Sequence, residues 1–192
     1  MLRSIPGIII SNVSFPKFIE NLIIRNSASC KIILPYLLKS IKQLENAGTD
    51  FIILPCNTLH ALLPILKEQT KLEITDLVEE VSVEARKFKK IGIIGTSKTI
   101  DEKLYEHKGF EVIYPAEEEQ KELSRIIMKI IRKSNEDFDK EYILKIVNKM
   151  KYDGAEKIIF ACTDLSNLNI INKDIIDSQK ILINSILKRM VE

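Results

Sequence analysis

"PYLLKSIKQLENAGTDFIILPCN", residues 35–57, decides the fold, because the chain carries this pattern twice. Laid without a gap over "EYILKIVNKMKYDGAEKIIFACT", residues 141–163, it is identical at seven positions: Tyr36/Tyr142, Leu38/Leu144, Lys39/Lys145, Gly48/Gly154, Ile52/Ile158, Ile53/Ile159 and Cys56/Cys162. In each copy apolar residues recur at helical spacing: Tyr36, Leu37, Ile41 and Leu44 in the first, Tyr142, Ile143, Ile146, Val147 and Met150 in the second. A glycine then stands where a helix C-cap belongs. The run that follows is continuously apolar, which suits a parallel strand covered on both faces. The repeated unit is helix, tight turn, strand and cysteine.

Outward from the repeat, "GIII" (7–10), "KIGIIG" (90–95) and "FEVIYP" (110–115) read as further strands. Helices are predicted near 76–88, 99–108, 118–133 and 178–190, and Pro64 should start or kink a helix after Cys56. Strands alternating with helices predict an α/β fold with parallel sheets, and the duplication predicts two pseudo-symmetric lobes, each presenting one cysteine. Two strands precede the second cysteine strand, but only "GIII" precedes the first. The first lobe is therefore expected to lack a strand-helix unit equivalent to residues 90–108, as in a trimmed lobe, a fragment or a mis-started reading frame.

Composition narrows the function classes. The 192 residues carry 29 basic and 27 acidic side chains, interspersed, for a net charge of +2. Without a basic block or aromatic-basic alternation, a nucleic-acid partner is not expected. "RKFKK" (86–90) reads as a solvated helix end. No apolar run reaches the roughly 18 residues of a membrane span, and the N-terminal patch lacks a signal-peptide pattern, so a cytoplasmic location without membrane association is expected. Three cysteines without C-x-x-C, and two histidines not placed with them at zinc-like spacing, suggest neither a disulfide framework nor a structural metal.

Ligands of open parallel sheets bind beyond the carboxyl ends of the strands, where Cys56 and Cys162 both stand. One cysteine ending an apolar strand is commonly a small buried hydrophobe. Two at duplicated positions, followed by Asn57-Thr58 and Thr163-Asp164, favour a functional pair. Inverting a carbon centre by proton transfer needs a base on one face and an acid on the other; a thiolate and a thiol facing each other across a cleft supply both. Asn57, Thr58, Thr163 and the loop "GTSKT" (95–99) are candidate donors for the developing negative charge. Cys30, absent from the repeat, reads as structural. "GIIGTSKT" fits neither the G-x-G-x-x-G spacing nor a P-loop. His60 reads as a cap or packing residue, and His107 as surface.

"PCNTLH" resembles the "PCNTxH" signature of the aspartate/glutamate racemase superfamily, and "ACTDL" resembles its second signature, "GCTE(L/I)". "IGTSKTIDEKLY" (94–105) is similar to the family's "GTxxTxxxxxY" segment. The resemblance implies two flavodoxin-like lobes with the active site between them: residues 1–77 completed by 170–192, and residues 78–169. It implies an isomerase without cofactor, pyridoxal phosphate or metal, acting on a small dicarboxylic amino acid. Cys56 and Cys162 would be the catalytic pair, and Asn57, Thr58, Thr96, Thr163 and Asp164 would bind substrate. Asp164 is closer to the aspartate branch than to the glutamate branch, which makes aspartate the leading substrate. Alternatives are a racemase or isomerase of glutamate or another small acid in the same superfamily, or a truncated non-catalytic relative that binds a small acid or a partner. Family members are often homodimers. Ala161 replaces the usual Gly, Leu59 the common Ala or Met, and Asp101 a basic or neutral residue. The family's opening Gly-rich loop has no counterpart, and for the side-chain carboxylate only Lys17 and Arg25 offer themselves.

Overall fold

From Leu34 onward the chain alternates helix and strand, apart from two successive helices over 117–131 and 137–152. In order come α1 (Leu34–Asn46), β1 (Phe51–Ile53), α2 (Leu63–Glu68), β2 (Glu73–Thr75), α3 (Leu77–Ala85), β3 (Lys90–Gly95), α4 (Ser97–Asp101) and β4 (Glu111–Ile113). Then follow α5 (Glu117–Ile131), α6 (Asp137–Tyr152), β5 (Lys157–Ala161), β6 (Ile175–Asp177) and α7 (Ser178–Val191). Three 3-10 turns, Cys30–Ile33, Thr58–Leu62 and Thr163–Leu168, interrupt the alternation. This computed structural model describes residues 7–16, 18–19, 22 and 29–191. Lys17 and Arg25 lie outside them.

The two copies of the repeat end their helices with the same hydrogen bonds. Gly48 (φ +75°) and Gly154 (φ +97°) both adopt the left-handed conformation that glycine enters without a Cβ penalty. The next residue reaches back in each case: Thr49 N–H donates to Leu44 O at 3.3 Å, and Ala155 N–H to Met150 O at 2.9 Å. The glycine N–H groups donate to Glu45 O and Lys151 O. Donors and acceptors are equivalent at the offset of the repeat, so one capping motif aims both cysteine strands.

All strand pairs are parallel. β1 pairs with β2 in one sheet, and the other runs β4-β3-β5-β6. Successive residues of the central strands face opposite layers. Ile94, Ile158 and Phe160 pack with Leu123, Ile127 and Ile143 of α5 and α6, whereas Ile91, Ile93 and Ile159 pack with Val78, Val81 and Leu182 of α3 and α7. Burying each such side chain contributes about 1.5–3 kcal/mol. A third core joins α1, β1, α2 and β2 through Ile33, Leu37, Ile52, Leu66 and Ile74.

Four expectations need revising. Residues 7–10 form no strand; Ile8 and Ile10 are 76% and 85% exposed, and no ladder recruits them. The helix expected over 99–108 stops at Asp101, and turns carry the chain onward with positive φ at Lys103 and His107. β2 and β6, three residues each, were not anticipated. Residues 170–192, expected to complete the first lobe, contribute β6 to the four-stranded sheet because Ile175 and Ile176 pair with Ile158 and Ile159. The end of this segment reaches the two-stranded sheet: Arg189 donates to Glu73 at 2.7 Å and to Thr75 at 3.2 Å. Among the described residues, no helix is long and apolar enough to cross a membrane.

Candidate active site

Both cysteines stand at the carboxyl ends of parallel strands. Cys56 lies three residues beyond β1, just before the turn Thr58–Leu62; Cys162 directly follows β5 and caps the turn Thr163–Leu168. Cys56 is half-buried and Cys162 buried. Thr163 bridges the two segments, its hydroxyl donating to the carbonyl of Pro55 at 3.1 Å.

Burial pushes the Cys56 thiol up, and the charge of Asp164 adds to this; the amides of Leu59 and Thr58 and the Thr58 hydroxyl pull the other way. Burial also pushes up Cys162, followed by Asp164 and Cys56 itself. Cys162 Sγ lies 3.9 Å from Asp164 Oδ2, as a thiol donating to a carboxylate. Asp164 is raised by its own burial and held back by that thiol. The Asp164 charge thus suppresses ionisation of both thiols, Cys56 adds to this at Cys162, and burial opposes charge on all three groups. The unliganded site holds its thiols protonated at neutral pH.

Hydroxyls line the seam between the lobes. Thr58 Oγ1 lies 2.9 Å from Thr96 Oγ1 and 3.2 Å from Thr99 Oγ1, and Thr96 and Thr99 are 3.1 Å apart. Thr96 owes its place to being the N-cap of α4, where its oxygen also accepts from Thr99 N–H at 3.2 Å. Asn57, 1% exposed, is engaged on both sides: Nδ2 donates to Ser178 Oγ at 2.9 Å, and Oδ1 accepts from Tyr105 OH at 2.6 Å. Of its polar groups, one amide hydrogen is left for a ligand.

The structure therefore brings Cys56, Thr58 and Thr96 to one seam, with Cys162, Thr163 and Asp164 joining it from β5. Thr99, Tyr105 and Ser178 complete the network. Thr99 and Tyr105 lie in the quoted motif; Ser178 opens α7 directly after Asp177, whose carboxylate caps that helix by accepting from Gln179 N–H at 3.0 Å. Lys98, 9% exposed, pairs with Glu102 at 2.7 Å. Cys30, 2% exposed, points its thiol at the Thr58 carbonyl at 3.9 Å, and burial pushes it up to about 11 despite the opposing pull of Lys98. His107 stands in the turns after α4 and makes none of these contacts.

Such a site can hold an anionic group against hydroxyls while two sulfurs exchange protons with it. The family model described as Asp/Glu/hydantoin racemase matches residues 3–186. A broad-specificity amino-acid racemase, RacX of Bacillus subtilis (strain 168), is 31% identical over 129 residues, which are 65% of this chain and 56% of that protein. The chain thus spans little more than half the length of this curated relative. Among solved structures, an aspartate racemase homologue from Pyrococcus horikoshii OT3 superposes with a TM-score of 0.69 at 29% identity, covering 81% of this chain and 73% of that one. The aspartate racemase of Picrophilus torridus, at 20% identity and a TM-score of 0.69, covers 83% and 70% and shares the fold.

Proposed function

The chain belongs to the Asp/Glu/hydantoin racemase family, and from that premise we propose that it racemises an amino acid, aspartate first, by two-base proton transfer between Cys56 and Cys162. The observation that carries the reading is the pair of strand-end thiols, repeated in sequence and close enough to share the charge of Asp164. No cofactor is needed for this chemistry.

The thiolate of one cysteine removes the α-proton and becomes a thiol. The other thiol delivers its proton to the opposite face and becomes the thiolate. Both thiols are held protonated in the free site, so one gives its proton to solvent as substrate binds, and the substrate ammonium offsets the thiolate charge that burial and Asp164 resist. Negative charge developing on the substrate carboxylate is met by the hydroxyls of Thr58 and Thr96, with Thr163 and the remaining Asn57 amide hydrogen beside them. Asp164 accepts from Cys162, and its charge holds the proton on that sulfur until the substrate ammonium is in place.

A wider substrate range is the second reading. Lys98 is already neutralised by Glu102, so a distal substrate carboxylate would have to compete for it, and the Bacillus relative is described as broad in specificity. Exchange of the α-proton in deuterated water, followed by NMR with L-aspartate, L-glutamate and neutral amino acids, tests both readings. Each of Cys56→Ala and Cys162→Ala should reduce exchange on the better substrate by about 10²–10⁴-fold. Absence of exchange from the folded protein with every amino acid tried would overturn the enzyme reading in favour of a small-acid binder.

A further inference from the structure

We propose that His60 is a positioning residue for Cys56, fastening the backbone that carries the thiol to the first turn of α3. The proposal rests on the reading of Cys56 as a working acid/base. His60, 5% exposed, stands in the turn that follows Cys56. Its Nδ1 lies 2.8 Å from the Cys56 carbonyl oxygen, and its Nε2 lies 2.9 Å from the backbone N of Leu77. A backbone N–H only donates, so Nε2 must present its lone pair. The single ring proton then sits on Nδ1 and is donated to Cys56. Both nitrogens are occupied, the ring is neutral, and His60 is no acid or base for substrate.

Each partner needs this contact. Leu77 is the first residue of α3, where a helix leaves its N–H groups without internal acceptors. The Asp76 side chain accepts from Glu79 N–H at 3.0 Å and leaves Leu77 N–H to the imidazole. Cys56 lies beyond the β1 ladder, and its own N–H closes a tight turn onto Leu54 O at 2.8 Å. The carbonyl held by His60 is therefore what ties Cys56 to a second element. Released, the Cys56–Asn57 peptide can turn and carry Sγ with it. Of the charges facing the ring, Asp76 before α3 favours protonation and Lys67 of α2 opposes it, while the carbonyls of Cys56 and Thr75 pull toward the proton; burial outweighs these and keeps the ring neutral. A protonated ring would have no lone pair for Leu77.

The test compares the wild type with His60→Asn, His60→Gln and His60→Leu. Asn places an amide near Nδ1 and preserves donation to Cys56, Gln reaches the Nε2 position and preserves acceptance from Leu77, and Leu preserves neither. Iodoacetamide labelling across pH, mapped by peptide mass spectrometry, reads the Cys56 thiol, with Cys30 as the internal reference. Kinetics of α-proton exchange are measured alongside. The Cys56 labelling profile should shift in the Gln and Leu variants while that of Cys30 stays in place. Their kcat should fall on the order of 10²-fold with little change in KM, and His60→Asn should recover most of it. An unmoved Cys56 profile in His60→Gln, with only a lower melting temperature, would reduce His60 to a packing residue and overturn the proposal. So would an Asn variant no better than Gln, a comparison that stands even if His60→Leu fails to fold. If the wild type exchanges no amino acid, the racemase reading fails, and the labelling profiles still decide whether His60 positions the thiol.

Discussion

A residue is worth what its neighbours let it do, and Cys162 shows this most clearly. Its thiol is raised first by burial and next by the Asp164 carboxylate, 3.9 Å away. Removing that charge in Asp164→Asn should move Cys162 labelling to lower pH and leave Cys30 unchanged, as read by pH-dependent alkylation. An unmoved profile would mean that the carboxylate does not act on the sulfur. The same shift governs stability. The fold holds the thiol protonated beyond 9.0, the value of an unperturbed cysteine, so the unfolded chain releases its proton first. Between 9.0 and the folded value the native state binds more protons, and this contribution to stability, intact below 9.0, is lost as pH rises. Asp164→Asn should soften that alkaline loss, which urea unfolding at pH 8 and pH 10 would register.

At the scale of elements, close approach of β3 to β5 depends on two glycines. A Cβ on Gly95 would meet the backbone oxygen of Ala161 at 2.8 Å, whereas one on Gly92 would meet Ile158 Cδ1 at 2.6 Å and Met150 Sδ at 2.8 Å. Side-chain ends move and a ladder carbonyl does not. Gly95→Ala should therefore cost more than Gly92→Ala despite its longer contact, by about 1–3 kcal/mol against wild type, measured by urea unfolding. The ladder was legible in the sequence because "IGIIG" (91–95) and "IIFAC" (158–162) are unbroken apolar runs. The helix caps were legible because Gly48 and Gly154 recur at one offset. β2 and β6 escaped because "EIT" and "IID" are too short to show a period. The helix over 99–108 was overestimated because its apolar spacing gives no sign that Tyr105 must turn inward to reach Asn57. Cys56, Thr58, Cys162 and Thr163 could be read from their places at strand ends, but the bond from Asn57 to Ser178 joins residues 121 apart in sequence. No local pattern announces such a contact.

For the whole molecule, the seam between the lobes is polar where the cores on either side are apolar. Asn57, in the turn after β1, holds both Tyr105 in the turns after α4 and Ser178 at the start of α7. Asn57→Ala strands two hydroxyls that are 1% and 0% exposed. It should lower stability by about 2–4 kcal/mol, read in urea, because each loses its partner without gaining water. A drop no larger than that of an exposed substitution would show that the seam is wet. The threonines of the seam are bound to each other differently. Three hydroxyls, one from the first lobe and two from the second, share three contacts and own three protons. Each contact takes one proton, so the ring closes with all its bonds circulating in one sense or all in the other. An arriving carboxylate must take a proton out of circulation and so opens the ring for every member. Thr58→Val and Thr99→Val should consequently show strong epistasis in substrate affinity: the first substitution breaks the circuit, and the second finds little left to break.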